Sequence, residues 1–223
     1  MTEKKGTAEN QKKGLFITLE GMDGSGKTTQ MQQLKQYLEH QGYKVHLTRE
    51  PGGTIISEKI RNLILDPEHE EMHPWTEALL YAAARAQHVA EVIQPALQRE
   101  EIVLCDRFLD SSLAYQGVGR GLGMEEVFRI NQPALMDRLP DITFWFNLTP
   151  EESFRRKSGR DPKDRLEQQH RSFYEKIYQS YRQLAEENPQ RIVTLDASKS
   201  IPWIQKMMRC TVDRYIGKLE SGK

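Results

Sequence analysis

Short apolar runs alternate with longer amphipathic stretches along this chain. The runs at 15–19, 44–48, 102–105, 142–147 and 192–195 are rich in β-branched and aromatic residues, and a polar loop follows each, so they predict strands. Apolar positions three and four apart predict helices over 27–40, 55–65, 75–90, 124–135, 150–157, 166–188 and 202–219. Pro95 should bend or divide any continuation of the third helix. Strands alternating with helices predict an α/β fold, a parallel five-stranded sheet with helices on both faces. Ligands of such sheets sit at the carboxyl ends of the strands. The sharpest polar motifs stand there, directly after apolar runs.

Bulk properties narrow the partners. A chain of 223 residues holds one substantial core, so a single domain over 14–223 is expected. Residues 1–13 are polar and charged without an apolar run, which predicts a disordered N-terminal arm rather than a signal peptide. Lysine plus arginine and aspartate plus glutamate are 32 each, which argues against a general nucleic-acid binder. No apolar stretch approaches the roughly 20 residues of a membrane helix. Cys105 and Cys210 show no metal or redox spacing, which suits a reducing cytoplasm.

Gly21-Met22-Asp23-Gly24-Ser25-Gly26-Lys27-Thr28 matches G-x-x-x-x-G-K-[ST], with an apolar run before it and a helical pattern from Thr29 onward. At average residue frequencies a chain of this length matches by chance on the order of 1% of the time. Strand, glycine loop and helix gather backbone N–H groups and a helix N-terminus around one anion. Lys27 adds a mobile charge for the outer phosphates of ATP, and the Thr28 hydroxyl can ligate magnesium.

Two further loops follow apolar runs. Asp106-Arg107 closes the third, where an acid in a phosphate-loop protein faces magnesium or its water shell and an arginine reaches phosphate bidentately. The alternative is a solvent-facing ion pair. Thr48-Arg49-Glu50-Pro51-Gly52-Gly53-Thr54 makes a tight turn opening a helix, and gains functional weight only beside Asp106-Arg107. A basic cluster, Arg155, Arg156, Lys157, Arg160, Lys163 and Arg165, is interrupted by Gly159 and Asp161-Pro162. It reads as a mobile lid over about 155–165, or as a solvated charged face.

Together the phosphate loop, 48–54 and Asp106 to Gly117 resemble the three signature blocks of bacterial thymidylate kinases, in the family's order. Glu77 to Arg85 resembles a fourth. The resemblance runs from about Gly14 to the C-terminus. It implies a phosphate-loop nucleoside monophosphate kinase that moves the ATP γ-phosphoryl group to thymidine monophosphate, uses magnesium and forms a homodimer. By resemblance Tyr81 stacks on thymine and Arg85 meets a base carbonyl; alone, a core aromatic beside a surface arginine is the plainer reading. The resemblance places Ser112 and Gln116 at the thymine edge, Tyr115 beside the sugar, and Glu50 in the acceptor site. It gives the acceptor phosphate to Arg49, Arg61 and Arg107, and sets Asp23 near the sugar hydroxyl or the magnesium waters. Asp196 and Ala197 belong to the adenine side. No basic residue stands between Gly21 and Gly26, unlike family members that carry an arginine inside the loop, and the resemblance then implies a catalytic arginine in the lid, Arg160 first and Arg156 second. Arg165 is expected to anchor the following helix.

Other signals carry less. His69-Glu70-Glu71-Met72-His73 matches the H-E-x-x-H zinc pattern, but Pro67 and Pro74 bracket it and leave no sustained helix. Gly117 to Gly123 reads as a flexible connector near the acceptor site. The alternatives to thymidylate phosphorylation are a kinase of another nucleoside monophosphate, or a phosphate-loop regulatory protein. The latter needs switch segments and a water-orienting residue, and neither is identifiable.

Overall fold

The computed structural model describes residues 14–157, 164–166 and 168–221. The arm expected at 1–13 and five positions of the expected lid, Gly159, Arg160, Asp161, Pro162 and Lys163, lie outside the described residues.

In chain order the elements begin with β1 (Leu15–Glu20), α1 (Lys27–His40), β2 (Val45–Arg49), α2 (Ile55–Leu65) and α3 (Pro74–His88). Next come a π-helical turn at Val89–Ile93, then α4 (Gln94–Gln98), β3 (Ile102–Asp106), α5 (Leu109–Ser112) and a second π-helical stretch at Leu113–Gly119. The chain continues through α6 (Met124–Leu135), β4 (Ile142–Asn147), α7 (Pro150–Lys157), α8 (Arg171–Glu187), β5 (Ile192–Asp196) and α9 (Ile201–Glu220). The strands form one parallel sheet in the order β2-β3-β1-β4-β5. Alternation along each strand splits the core. Phe16, Val103, Cys105 and Trp145 face one cluster with α6 and α8, while Leu15, Ile17, Leu19, Leu104, Phe144 and Phe146 face the other with α1 and α9.

This order sets up the site. β1 lies centrally, and chain direction diverges on its two sides, which leaves a crevice at the carboxyl ends of β1 and β3. The register pairs Leu19 with Asp106, and Asp106 with Arg49, so all three polar loops open onto that crevice.

Several predicted boundaries change. The third helix ends at His88, and Pro95 sits in the first turn of α4 after the π-helical turn. Proline has no N–H to donate and crowds the carbonyl four residues back, so the turn before it widens. The helix predicted from 166 starts at Arg171. The preceding residues turn instead, with Leu166 N–H held by Asp164 and Gln169 N–H by the Leu166 carbonyl. The expected connector at 117–123 is helical through Gly119. A Cβ on Gly119 would stand 2.7 Å from the Phe173 ring, so glycine there permits close helix packing rather than flexibility. The H-E-x-x-H stretch lies in the turn before α3, where His73 caps the helix through Trp75 N–H and Pro74 takes the first position.

Candidate active site

The phosphate loop links β1 to α1. Gly21 has φ +130°, and a Cβ there would meet the Phe146 carbonyl at 2.7 Å, so the loop can leave the sheet only through glycine. Lys27 is buried, and its Nζ donates to the carbonyls of Gly21 and Met22, both at 3.0 Å. Burial, then the neighbouring Arg107 charge, hold its ammonium below the ordinary lysine value.

A cleft of about 470 Å³ opens beside this loop. It brings together Asp23, Gly24, Gly26, Lys27, Thr28 and Thr29 with Arg49, Glu50, Arg61, Tyr81, Arg85, Asp106, Arg107, Ser112, Tyr115 and Gln116. Gly21, Met22 and Ser25 complete the loop behind it.

Arg107 follows β3 with φ +68°, a conformation that non-glycine residues adopt only where the surroundings hold them. Its N–H bonds the Leu19 carbonyl at 3.0 Å, and its guanidinium bonds Asp23 Oδ1 at 2.7 Å over the Tyr115 ring. Burial pushes the Tyr115 hydroxyl up to about 12, so it stays protonated. Across the cleft Arg49 and Arg61 both donate to the Pro51 carbonyl, at 2.8 and 2.9 Å. Burial and the adjacent Arg49 charge lower the Arg61 pKa. Two cationic clusters thus face one cleft, a field that favours polyanions.

The inner wall is a buried polar network. Arg85 donates through Nε to Glu50 at 2.8 Å, through Nη2 to Ser112 at 3.0 Å, and through Nη1 to Asn131. The second Glu50 oxygen meets His88 Nδ1 at 3.0 Å. Glu50 therefore spends both oxygens on protein partners and serves as the counter-ion of Arg85. Glu77 collects Gln116, Arg120 and Arg165. Arg165 also donates to the Ile64 carbonyl at 3.1 Å, so its guanidinium ties residue 165 to α2 and α3 rather than to the helix that follows it.

Arg156, Asp196 and Ala197 stand outside this cleft. Arg156 donates to the carbonyls of Gly24 and Ala197, at 3.3 and 3.0 Å, which stitches α7 to the outer side of the phosphate loop. Ser153 reinforces that contact by bonding the Asp23 carbonyl at 2.7 Å. Asp196 accepts from the Ser198 hydroxyl and N–H. Arg160 lies outside the described residues.

Sequence reasoning missed Glu20, Asn131, His88 and Arg120, and gave Glu77 no role. The one local signal was Glu20, a carboxylate at the end of an otherwise apolar strand. It is fully buried and accepts from Phe108 N–H, Ser111 and Tyr181.

Among the described residues no group of three or more histidine, cysteine, aspartate or glutamate side chains could hold a metal by itself. The donor set still fits a magnesium ion carried by nucleotide phosphates. Asp106 Oδ1 is buried without a hydrogen-bond partner among the described residues, and the Thr28 hydroxyl belongs to the same cleft.

A 2-3-1-4-5 parallel sheet, a G-x-x-x-x-G-K-T loop at its switch point and a second cationic cluster across the cleft define a phosphate-loop kinase. The model of the thymidylate kinase family matches residues 19–208. The thymidylate kinase of Exiguobacterium sibiricum is 49% identical over 207 residues, covering 93% of this chain and 98% of that one. That of Bacillus velezensis is 51% identical over 188 residues, covering 83% and 89%. The crystal structure of thymidylate kinase from Ehrlichia chaffeensis superposes with TM-score 0.73 at 32% identity, covering 90% of this chain and 99% of that chain. The chain belongs to the thymidylate kinase family, whose reaction carries the γ-phosphoryl group of ATP to thymidine monophosphate.

Proposed function

We propose that the cleft performs this transfer as one positioned, charge-neutralised displacement that gives ADP and thymidine diphosphate. The observation that carries the reading is the pair of cationic clusters lining the cleft, Lys27 and Arg107 beside the phosphate loop and Arg49 with Arg61 across from them. The acceptor phosphate oxygen is already anionic, so no general base is needed, and the protein contributes orientation and charge. Lys27 leaves its loop carbonyls for the outer phosphates of ATP. Arg107 stands between donor and acceptor, held by Asp23. Arg49 and Arg61 take the acceptor phosphate. Tyr81 offers its ring to the base, Arg85 and Gln116 its polar edge, and Tyr115 fills the space beside the sugar.

Asp106 and Thr28 are the groups to hold magnesium, which when bound neutralises charge on the transferred phosphoryl group. Arg160, with Arg156 as the second choice, supplies the lid cation. The adenine side is at Asp196 and Ala197, next to Arg156. We read the enzyme as a homodimer, supported by exposed Ile55, Ile56, Leu63 and Leu79 on α2 and α3, apolar surface that a second copy would cover. A cytoplasmic location is supported by two free thiols, Cys105 and Cys210. Among the described residues no helix is long and apolar enough to cross a membrane.

A coupled ADP-release assay with each nucleoside monophosphate in turn tests the reading. Turnover should be fastest with thymidine monophosphate and should require a divalent cation. ADP release independent of any nucleoside monophosphate would overturn it and favour the regulatory alternative.

A further inference from the structure

The Glu77 carboxylate joins three separate segments inside the protein. Arg120 gives it Nε and Nη2 at 3.2 and 3.0 Å, Arg165 gives it Nη2, and Gln116 gives it Nε2 at 2.9 Å. Burial alone would push this carboxyl up. The charge and hydrogen bonds of Arg120, with Gln116 and Arg165, more than offset that and hold it below the usual carboxylate range. Glu77 is therefore ionised and can only accept hydrogen bonds. If the Gln116 amide oxygen faced it, two acceptors would meet in a low-dielectric interior and neither would be satisfied. The amide thus has one orientation, nitrogen on Glu77 and oxygen turned away. Gln116 lines the cleft, and among the described residues its one side-chain hydrogen bond is the one Nε2 gives to Glu77.

Arg85 lines the same wall and can only donate. The wall thus presents donors at Arg85 and an acceptor at Gln116. A 4-oxopyrimidine shows the complement along one edge, a carbonyl at C4 and an N–H at N3. A 4-aminopyrimidine shows the reverse and mismatches at both positions. We infer that Glu77 is a positioning residue that determines base specificity, fixing the Gln116 oxygen toward the cleft so that 4-oxo nucleotides are accepted and 4-amino nucleotides rejected. The inference rests on the acceptor-site reading given above.

The test compares kcat/KM for thymidine and deoxycytidine monophosphates in the full-length enzyme and in Glu77→Gln, Glu77→Asp and Gln116→Met. A glutamine at 77 can donate or accept, so Gln116 can turn. The thymidine-to-deoxycytidine ratio should then fall at least about tenfold while the KM for ATP stays within about twofold. Glu77→Asp keeps the carboxylate and should keep most of the ratio. A Glu77 that merely holds the fold together would slow both substrates alike and leave the ratio unmoved, which overturns the inference. If Gln116→Met lowers the ratio and Glu77→Gln does not, the clamp is wrong and the acceptor-site reading stands. If neither variant lowers it, Gln116 does not read the base and both ideas fail. Should Glu77→Gln not fold, the wild-type enzyme still decides. The Gln116 side-chain amide protons, identified by their absence from Gln116→Met, should exchange slowly with solvent. Exchange as fast as that of surface glutamines overturns the clamp.

Discussion

Replacing Glu20 by glutamine should change how stability depends on pH. Glu20 ends β1 as a buried carboxylate that accepts from Phe108 N–H at 2.8 Å, from Tyr181 Oη at 3.0 Å and from the Ser111 hydroxyl. Burial first, and the charge of Asp110 next, push its pKa from an ordinary 4.5 up to about 7, against the pull of Ser111, Arg107 and Phe108 N–H. In the unfolded chain the same carboxyl ionises near its ordinary value. Between the two values the folded protein binds more protons than the unfolded one, so stability falls as pH rises. The contribution is fully present below the ordinary value and gone above about pH 7. At about 1.4 kcal/mol for each pH unit, the loss comes to ~3 kcal/mol. A glutamine keeps an oxygen for Phe108 N–H and has no proton to lose. Urea unfolding of both proteins at several values from about pH 5 to pH 8 measures the effect. Over that range, which starts after the first part of the loss, the difference between them should move by about 2–3 kcal/mol in favour of Glu20→Gln. Glu77, held below the usual carboxylate range, removes stability as pH falls, but it is present in both proteins and cancels. A difference constant to within ~1 kcal/mol across the range would refute the reasoning.

Three further outcomes follow from the site. Lys27→Ala should lower kcat about a hundredfold or more with little change in melting, because Nζ bonds only carbonyls of its own loop; near-normal turnover would remove the phosphate-loop assignment. Arg85→Ala should raise the acceptor KM without moving the KM for ATP, and should also cost ~3–5 kcal/mol in urea unfolding because Glu50 stays buried without its guanidinium; equal effects on both KM values would make Arg85 purely structural. Arg160→Ala should lower kcat at least about tenfold, a barrier of roughly 1.4 kcal/mol, with the acceptor KM little changed. If neither it nor Arg156→Ala lowers kcat, the catalytic cation is not in the lid, and Arg49 and Arg107 must balance the charge.

The features legible in the chain alone were local and contiguous. The strand–glycine loop–helix at Leu15 to His40 could be read because period-two and period-3.6 patterns report burial directly, and a phosphate cradle is built from neighbours along the chain. Asp106-Arg107 and Arg49 were legible for the same reason, as polar residues ending apolar strands. Tertiary structure decided which of these meet and which buried charges support them. Strand register brought Asp106 beside Leu19 and Arg49, positions 87 and 57 residues away in the chain. Glu50 looked like a ligand-binding residue, yet folding spent both its oxygens on Arg85 and His88. Glu77 acquired its partners from positions 39, 43 and 88 residues away. No periodicity records such pairs, because the energy of a buried ion depends on what surrounds it in space, and that is set only when the helices pack.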